Sequence, residues 1–211
     1  MEELRQVNDA LFFAINNGWH SAFNDLWIGN ATYLGNGWVS YVLALLGLVL
    51  IDRRHFKRNF LLLLIATIVE LILIQSVKSI LDLPRPLTVF DAGIKNGSVI
   101  INVMFEPLYW KSFPSGHTQT AFCIAAVLSW AASKSTMAVP MKQGVLIVAF
   151  ALAVLVGISR MYVGAHFPID VLGGIIFGLV PVWLIAKYMK RFNGNIVEAD
   201  AKVPSGATGS K

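Results

Sequence analysis

Crossing about 30 Å of hydrocarbon takes a helix of roughly 20 mostly apolar residues. Four stretches of this 211-residue chain approach or meet that length, and a fifth is shorter. The short one runs from Trp38 to Ile51, with Tyr33 and Trp38 as interfacial anchors at its start; the others run from Asn59 to Ile80, about Gly116 to Ala132, Gln143 to Ser159 and Pro168 to Tyr188. Composition agrees: 56% of residues are hydrophobic and 14% charged, whereas a soluble domain carries about a quarter charged residues. These numbers exclude a disordered chain and argue against a soluble one. The expected fold is an all-α integral membrane protein, a bundle of about five or six transmembrane helices over residues 37–192.

The flanks read differently. In residues 1–36, Leu4, Val7, Leu11 and Ile15 recur at helical spacing while Asn8, Asn16 and Asn17 interrupt, which predicts an amphipathic helix lying in the interface. The acidic start, Glu2 and Glu3, and the short apolar piece from Leu11 to Ile15 do not read as a cleavable signal peptide. Residues 193–211, rich in Gly, Ala, Ser and Lys without an apolar period, read as a disordered cytoplasmic tail.

Seventeen basic against twelve acidic residues give a formal charge of +5, and the positions of these charges decide what that means. Arg53, Arg54, Lys57 and Arg58 fall between the first two spans, Lys134 and Lys142 between the third and fourth, and Lys187, Lys190 and Arg191 after the fifth. Alternating spans put them on one face, which the positive-inside bias makes cytoplasmic. No nucleic-acid partner is therefore expected. The N-terminal region and the 81–115 connection fall outside. The lone Cys123 lies in an apolar run and is expected to pack there, and the zinc-ligand spacings His-x3-His and Cys-x2-Cys are absent; no metal or other cofactor is expected.

Polar groups at the opposite face need another explanation, because ionisable residues at membrane helix ends by default suggest function. Lys78 closes the second span and leads through Ser-Ile-Leu-Asp-Leu-Pro to Arg85-Pro86. Pro114-Ser115-Gly116-His117 opens the third, Ser159-Arg160 closes the fourth, and His166-Phe-Pro-Ile-Asp170 opens the fifth. Lys78, Arg85 and Arg160 suit a dianionic phosphate. Ser115, Gly116 and His117 stand where backbone N–H groups at a helix start can hold another anionic oxygen, and Gly116 allows close approach. Asp170, four residues after His166, can fix its tautomer and leave the other ring nitrogen to attack phosphorus. These residues assign His166 as nucleophile, Asp170 as its orienting partner, and His117 as the acid for the departing oxygen and then the base for water.

Lys-x6-Arg-Pro, Pro-Ser-Gly-His and Ser-Arg-x5-His-x3-Asp in this order resemble the type 2 phosphatidic acid phosphatase (PAP2) family, with every motif position filled and the resemblance extending over about residues 38–190. The resemblance implies a PAP2/haloperoxidase-like helical bundle with its site at the extracytoplasmic helix ends, the same roles for the two histidines, Asp170 and the cations, and a bacterial inner-membrane location facing the periplasm or exterior. It implies a metal-independent lipid phosphatase acting at the outer leaflet on polyprenyl (undecaprenyl) pyrophosphate, phosphatidylglycerol phosphate, phosphatidic acid or lipid A phosphates. A phosphotransferase of the same family and a non-catalytic lipid binder are the alternatives; long spans and small size argue against a vanadate haloperoxidase. No obligate protein partner is evident. Phe105, Leu108, Tyr109 and Trp110, in the loop 87–113, are the expected lid or lipid contacts, and Gly173, Gly174 and Gly178 are expected to allow close helix packing.

Overall fold

The computed structural model describes residues 2–201, in which there are helices, turns and no strand. Helix α1 spans Glu2–Asn16, α2 Gly37–Asp52, α3 Phe56–Leu81, α4 Gly116–Lys134, α5 Val139–Tyr162 and α6 Pro168–Ala201. Helices α2 to α6 correspond one for one to the five expected spans. Their ends follow local chemistry. Asp82 closes α3 in the left-handed region, with φ of 36° and its N–H on the Lys78 carbonyl, and Pro84 and Pro86 cannot continue the helix. Pro168 opens α6, where its missing N–H costs nothing.

Helix α4 is the axis of the bundle, packed against α2, α3, α5 and α6. Thr118, Gln119, Ala121, Cys123, Ala125 and Val127 are all buried on it. Among the described residues three segments are long and apolar enough to cross a membrane: Gly37–Lys95, which holds α2 and α3 in succession, Val139–Tyr162 and Pro168–Met189. Helix α4 is not among them because protein, not lipid, surrounds it, so it can carry Thr, Gln and His. Cys123 packs in the core among Leu48, Leu62, Ala66 and Val127.

Gly174 and Gly178 of α6 do what their spacing suggests, while Gly173 makes room for the Phe113 ring instead. A Cβ at Gly174 would lie 2.7 Å from the Ser115 carbonyl oxygen, and one at Gly178 would lie 2.5 Å from that of Gln119. The two backbones therefore meet directly. At the end of the bundle that carries the basic loops, the Arg58 guanidinium lies 5.0 Å from the Trp130 ring centre, and Lys142 Nζ donates to the Ser133 carbonyl.

Helix α1 packs on the opposite ends of α5 and α6 and leaves most of its apolar stripe outward. Phe12, Ile15 and Asn16 are buried, whereas Leu4, Val7 and Leu11 stay exposed. The asparagines act as ties: Asn16 Nδ2 donates to the carbonyls of Tyr162 at 2.8 Å and Asn102 at 2.9 Å, its Oδ1 accepts from Asn102 N–H, and Asn8 Oδ1 accepts from Ile169 N–H. Side-chain amides satisfy loop backbone that hydrocarbon side chains would leave unpaired. The tail expected from residue 193 begins inside α6, where Asn195 to Ala201 contains neither Gly nor Pro to stop the helix. Residues 202–211 lie outside the described residues.

Gly178→Val is expected to destabilise the bundle by about 1–3 kcal/mol through forced separation of α4 and α6. Thermal unfolding in detergent measures this, with Gly144→Ala, whose Cβ meets nothing within 4 Å, as the control that leaves the transition unchanged.

Candidate active site

His166 stands in the tight turn joining α5 to α6. The Arg160 carbonyl accepts from both Ala165 N–H and His166 N–H at 3.1 Å, which folds the chain back on itself. Gly164 has φ of 76° and a hypothetical Cβ 2.7 Å from the Asn102 carbonyl oxygen, so this corner admits only glycine. His166 is 2% exposed, and both ring nitrogens have partners. Arg85 Nη1 lies 3.1 Å from Nε2, and Asp170 Oδ2 lies 3.4 Å from Nδ1. A guanidinium can only donate, so Nε2 is the acceptor and the ring proton sits on Nδ1, toward the carboxylate. The tautomer predicted from the spacing to Asp170 is thus imposed from two sides.

Asp170 is held more firmly than it holds the ring. Its Oδ2 accepts from Ser112 Oγ at 2.5 Å and Phe167 N–H at 2.8 Å. Ser112 carries no motif and lies in a long loop, so nothing in the sequence marks it. The Asp170 carbonyl accepts the Ser115 N–H at 2.9 Å, which corrects the expectation that this N–H is available to a ligand. Gly116 and His117, in the first turn of α4, keep backbone N–H groups without intrahelical acceptors. Ser115 itself is fully buried, and its Oγ accepts from Thr118 Oγ1.

The three cations converge on this end of the bundle with few anions to meet them. Arg85 donates from Nε to the Trp110 carbonyl at 2.8 Å, from Nη1 to the Ala165 carbonyl at 2.9 Å and from Nη2 to the Lys111 carbonyl. Lys78 Nζ donates to that same Lys111 carbonyl at 2.6 Å, turned inward by a left-handed residue with φ of 59°. Arg160 Nη1 donates to Thr32 Oγ1, and Arg160 Nε is buried with no acceptor. Among the described residues none of the three forms an ion pair with a carboxylate. Neutral carbonyls orient these guanidinium and ammonium groups without cancelling their charge, so an anion is favoured beside them.

Arg160, His117 and Ala165 share a cavity of about 250 Å³ with Thr32, Phe105 and Leu108. All eight sequence-predicted residues reach one end of the bundle, and His117 and Arg160 are the two that line this cavity. Of the loop residues expected as lid or lipid contacts, Phe105 and Leu108 line this cavity. Tyr109 and Trp110 expose their side chains and serve through their carbonyls, which accept from Arg85 N–H and Arg85 Nε. Thr32 and the carbonyls of Trp110, Lys111 and Ala165 join Ser112 as contributors that the sequence does not reveal.

Burial, then the charges of Arg85, Arg160 and Lys78, push the His166 imidazole well below its ordinary value of 6.5, so the ring is neutral at physiological pH. Below pH 6.5 the unfolded chain protonates this residue and the folded one does not, so its contribution to stability is lost as pH falls. Unfolding of the wild type is expected to become easier below pH 6.5 more steeply than that of His166→Gln, as thermal scans across pH 5 to 7.5 would measure.

Residues 59–193 match the model of the PAP2 superfamily. Over 95 residues the chain is 42% identical to phosphatidylglycerophosphatase B of Bacillus subtilis (strain 168), a match covering 42% of this chain and 47% of that protein, so it spans about half of the relative's length. The structure of Aquifex aeolicus LpxE aligns with a TM-score of 0.68 at 32% identity, covering 86% of this chain and 96% of that one. A transmembrane PAP2 type phosphatidylglycerolphosphate phosphatase from Bacillus subtilis aligns with the same TM-score at 24% identity, covering 90% of this chain and 88% of that one, a likeness of fold.

Proposed function

The chain belongs to the PAP2 superfamily, and from that premise we propose that it is an integral membrane lipid phosphatase that works through a phosphohistidine on His166. One observation carries the reading: a buried, neutral imidazole with its Nε2 lone pair on the Arg85 guanidinium and its Nδ1 proton facing Asp170. A lipid phosphate entering the cavity draws Arg85, Lys78 and the unpartnered Arg160 Nε onto its oxygens, with the Gly116 and His117 N–H groups at the helix start. Arg85 thereby uncovers Nε2. That nitrogen bonds to phosphorus, the ester P–O bond breaks, and His117 protonates the departing oxygen. Water then attacks the phosphohistidine, giving its proton to His117 and releasing phosphate. Ser112 and Phe167 N–H keep Asp170 in place as the ring takes on positive character.

The basic loops at the other end support a site on the extracytoplasmic side, with the substrate drawn from the outer leaflet of a bacterial cytoplasmic membrane. The exposed Leu4, Val7 and Leu11 of α1 then face the interface. The likeness to phosphatidylglycerophosphatase B favours a phosphatidylglycerol phosphate among the lipid phosphates and pyrophosphates.

Phosphate release by detergent-purified protein, in EDTA and without an acceptor lipid, tests the reading and separates hydrolysis from phosphotransfer. His166→Ala is expected to lower turnover by about 10³-fold or more. A quenched reaction on radiolabelled substrate should yield acid-labile, alkali-stable protein-bound phosphate in the wild type only. Lipid binding without turnover in the wild type would favour the non-catalytic alternative. Phe105→Ala with Leu108→Ala should change the ranking of lipids, and Tyr109→Ala with Trp110→Ala should not, because only the first pair lines the cavity.

A further inference from the structure

Glu70 lies two helical turns before Lys78 on the same face of α3, about 12 Å deeper in the bundle. Ile74, between them, fills the space beside Gly116. Glu70 is 2% exposed. Its Oε1 accepts from Tyr41 Oη at 2.5 Å and from Thr120 Oγ1 at 3.5 Å, and its main-chain carbonyl accepts from Gln119 Nε2. Its Oε2 and the neighbouring Gln119 Oε1 are buried without partners. Among the described residues no Lys, Arg or His pairs with this carboxyl. A lone carboxylate inside a membrane protein is costly, and the protonated acid avoids that cost. Oε2, which accepts nothing, is where such a proton sits.

Glu70, Gln119 and Thr120 line a cavity of about 160 Å³, and His117 and Gly116 line it too. That volume exceeds the roughly 30 Å³ share of one water molecule, and Glu70, His117, Gln119 and Thr120 offer such water polar partners beside Leu71 and Ile74. His117 thus stands between two cavities, one shared with Arg160 and one shared with Glu70.

We propose that Glu70 stores the proton that His117 delivers to the leaving group, an inference that rests on the reading of His117 as general acid. When a phosphate dianion arrives, the Glu70 O–H bond breaks and an imidazolium N–H forms on His117 through water in the shared cavity. The dianion offsets the positive charge so created, and Tyr41 and Thr120 stabilise the carboxylate. As Nε2 of His166 bonds to phosphorus and the P–O bond breaks, His117 passes the proton to the departing oxygen. The proton that His117 takes from water in the second half-reaction returns to Glu70 as phosphate leaves. Glu70 touches no substrate and acts only through His117.

Leaving-group dependence separates this role from a structural one. An alkoxide needs the proton, whereas nitrophenolate leaves as a stable anion. Glu70→Gln keeps the shape and the Tyr41 contact; it should lower kcat on a short-chain phosphatidic acid about tenfold or more, with KM and turnover of p-nitrophenyl phosphate unchanged, and Glu70→Asp should restore much of the loss. Equal loss on both substrates, or loss on neither, would overturn the proposal. His166→Ala must abolish both reactions, and failure there would overturn the phosphohistidine reading instead. Wild-type protein supplies a second reading if Glu70→Gln does not fold: on adding inorganic vanadate, infrared difference spectra should lose a protonated-carboxyl band that Glu70→Asp shifts. An unchanged carboxyl band would equally overturn the proposal.

Discussion

The Ser115 N–H donates to the Asp170 carbonyl across the starts of α4 and α6, and the rest of the site depends on that junction. It forms only because Gly174 and Gly178 let the two backbones touch. In lipid there is little hydrophobic force to drive one helix onto another, so close packing and interhelical hydrogen bonds carry the association. Fixing the two helix starts together sets the first turn of α4 beside that of α6. The Arg160 carbonyl then folds the α5–α6 turn so that His166 meets the same carboxylate.

Around this junction the positive charge is held by dipoles. Carbonyls of Trp110, Lys111 and Ala165 fix Arg85 and Lys78 in direction, yet leave the net charge nearly whole. Carboxylate partners would have oriented them equally well while removing the attraction for phosphate. The carboxylate of Asp170 has its Oδ2 occupied by Ser112 and Phe167 N–H as well as by the ring. The arrangement gives His166 a proton on the side of Asp170 and a lone pair on the side of Arg85.

How much of this could be read beforehand follows the kind of interaction involved. The long helices were legible because hydrocarbon imposes a minimum apolar length, and the site residues because ionisable groups at membrane helix ends have few other reasons to be there. Helix α4 shows the limit of the first signal: buried by its neighbours, it can be more polar than a lipid-facing span. Ser112 and Thr32 show the limit of the second, since a lone hydroxyl in a loop looks like any other. In α1 the apolar spacing marks Leu4, Val7 and Leu11, which stay exposed, but not the contacts of Asn16, whose amide satisfies loop backbone distant in the chain.

By itself the sequence determined the helices, the end at which the charged residues gather, and the eight motif residues, because these depend on local spacing and on the solvent each stretch must meet. Only the tertiary structure decided that the Ser115 N–H is taken by Asp170, that backbone carbonyls orient the cations, that Phe105 and Leu108 rather than Tyr109 and Trp110 line the cavity, and that Glu70 lies beside the one His117 shares. Each of these depends on a backbone direction or on a partner distant in the chain, and such contacts exist only after the helices have packed.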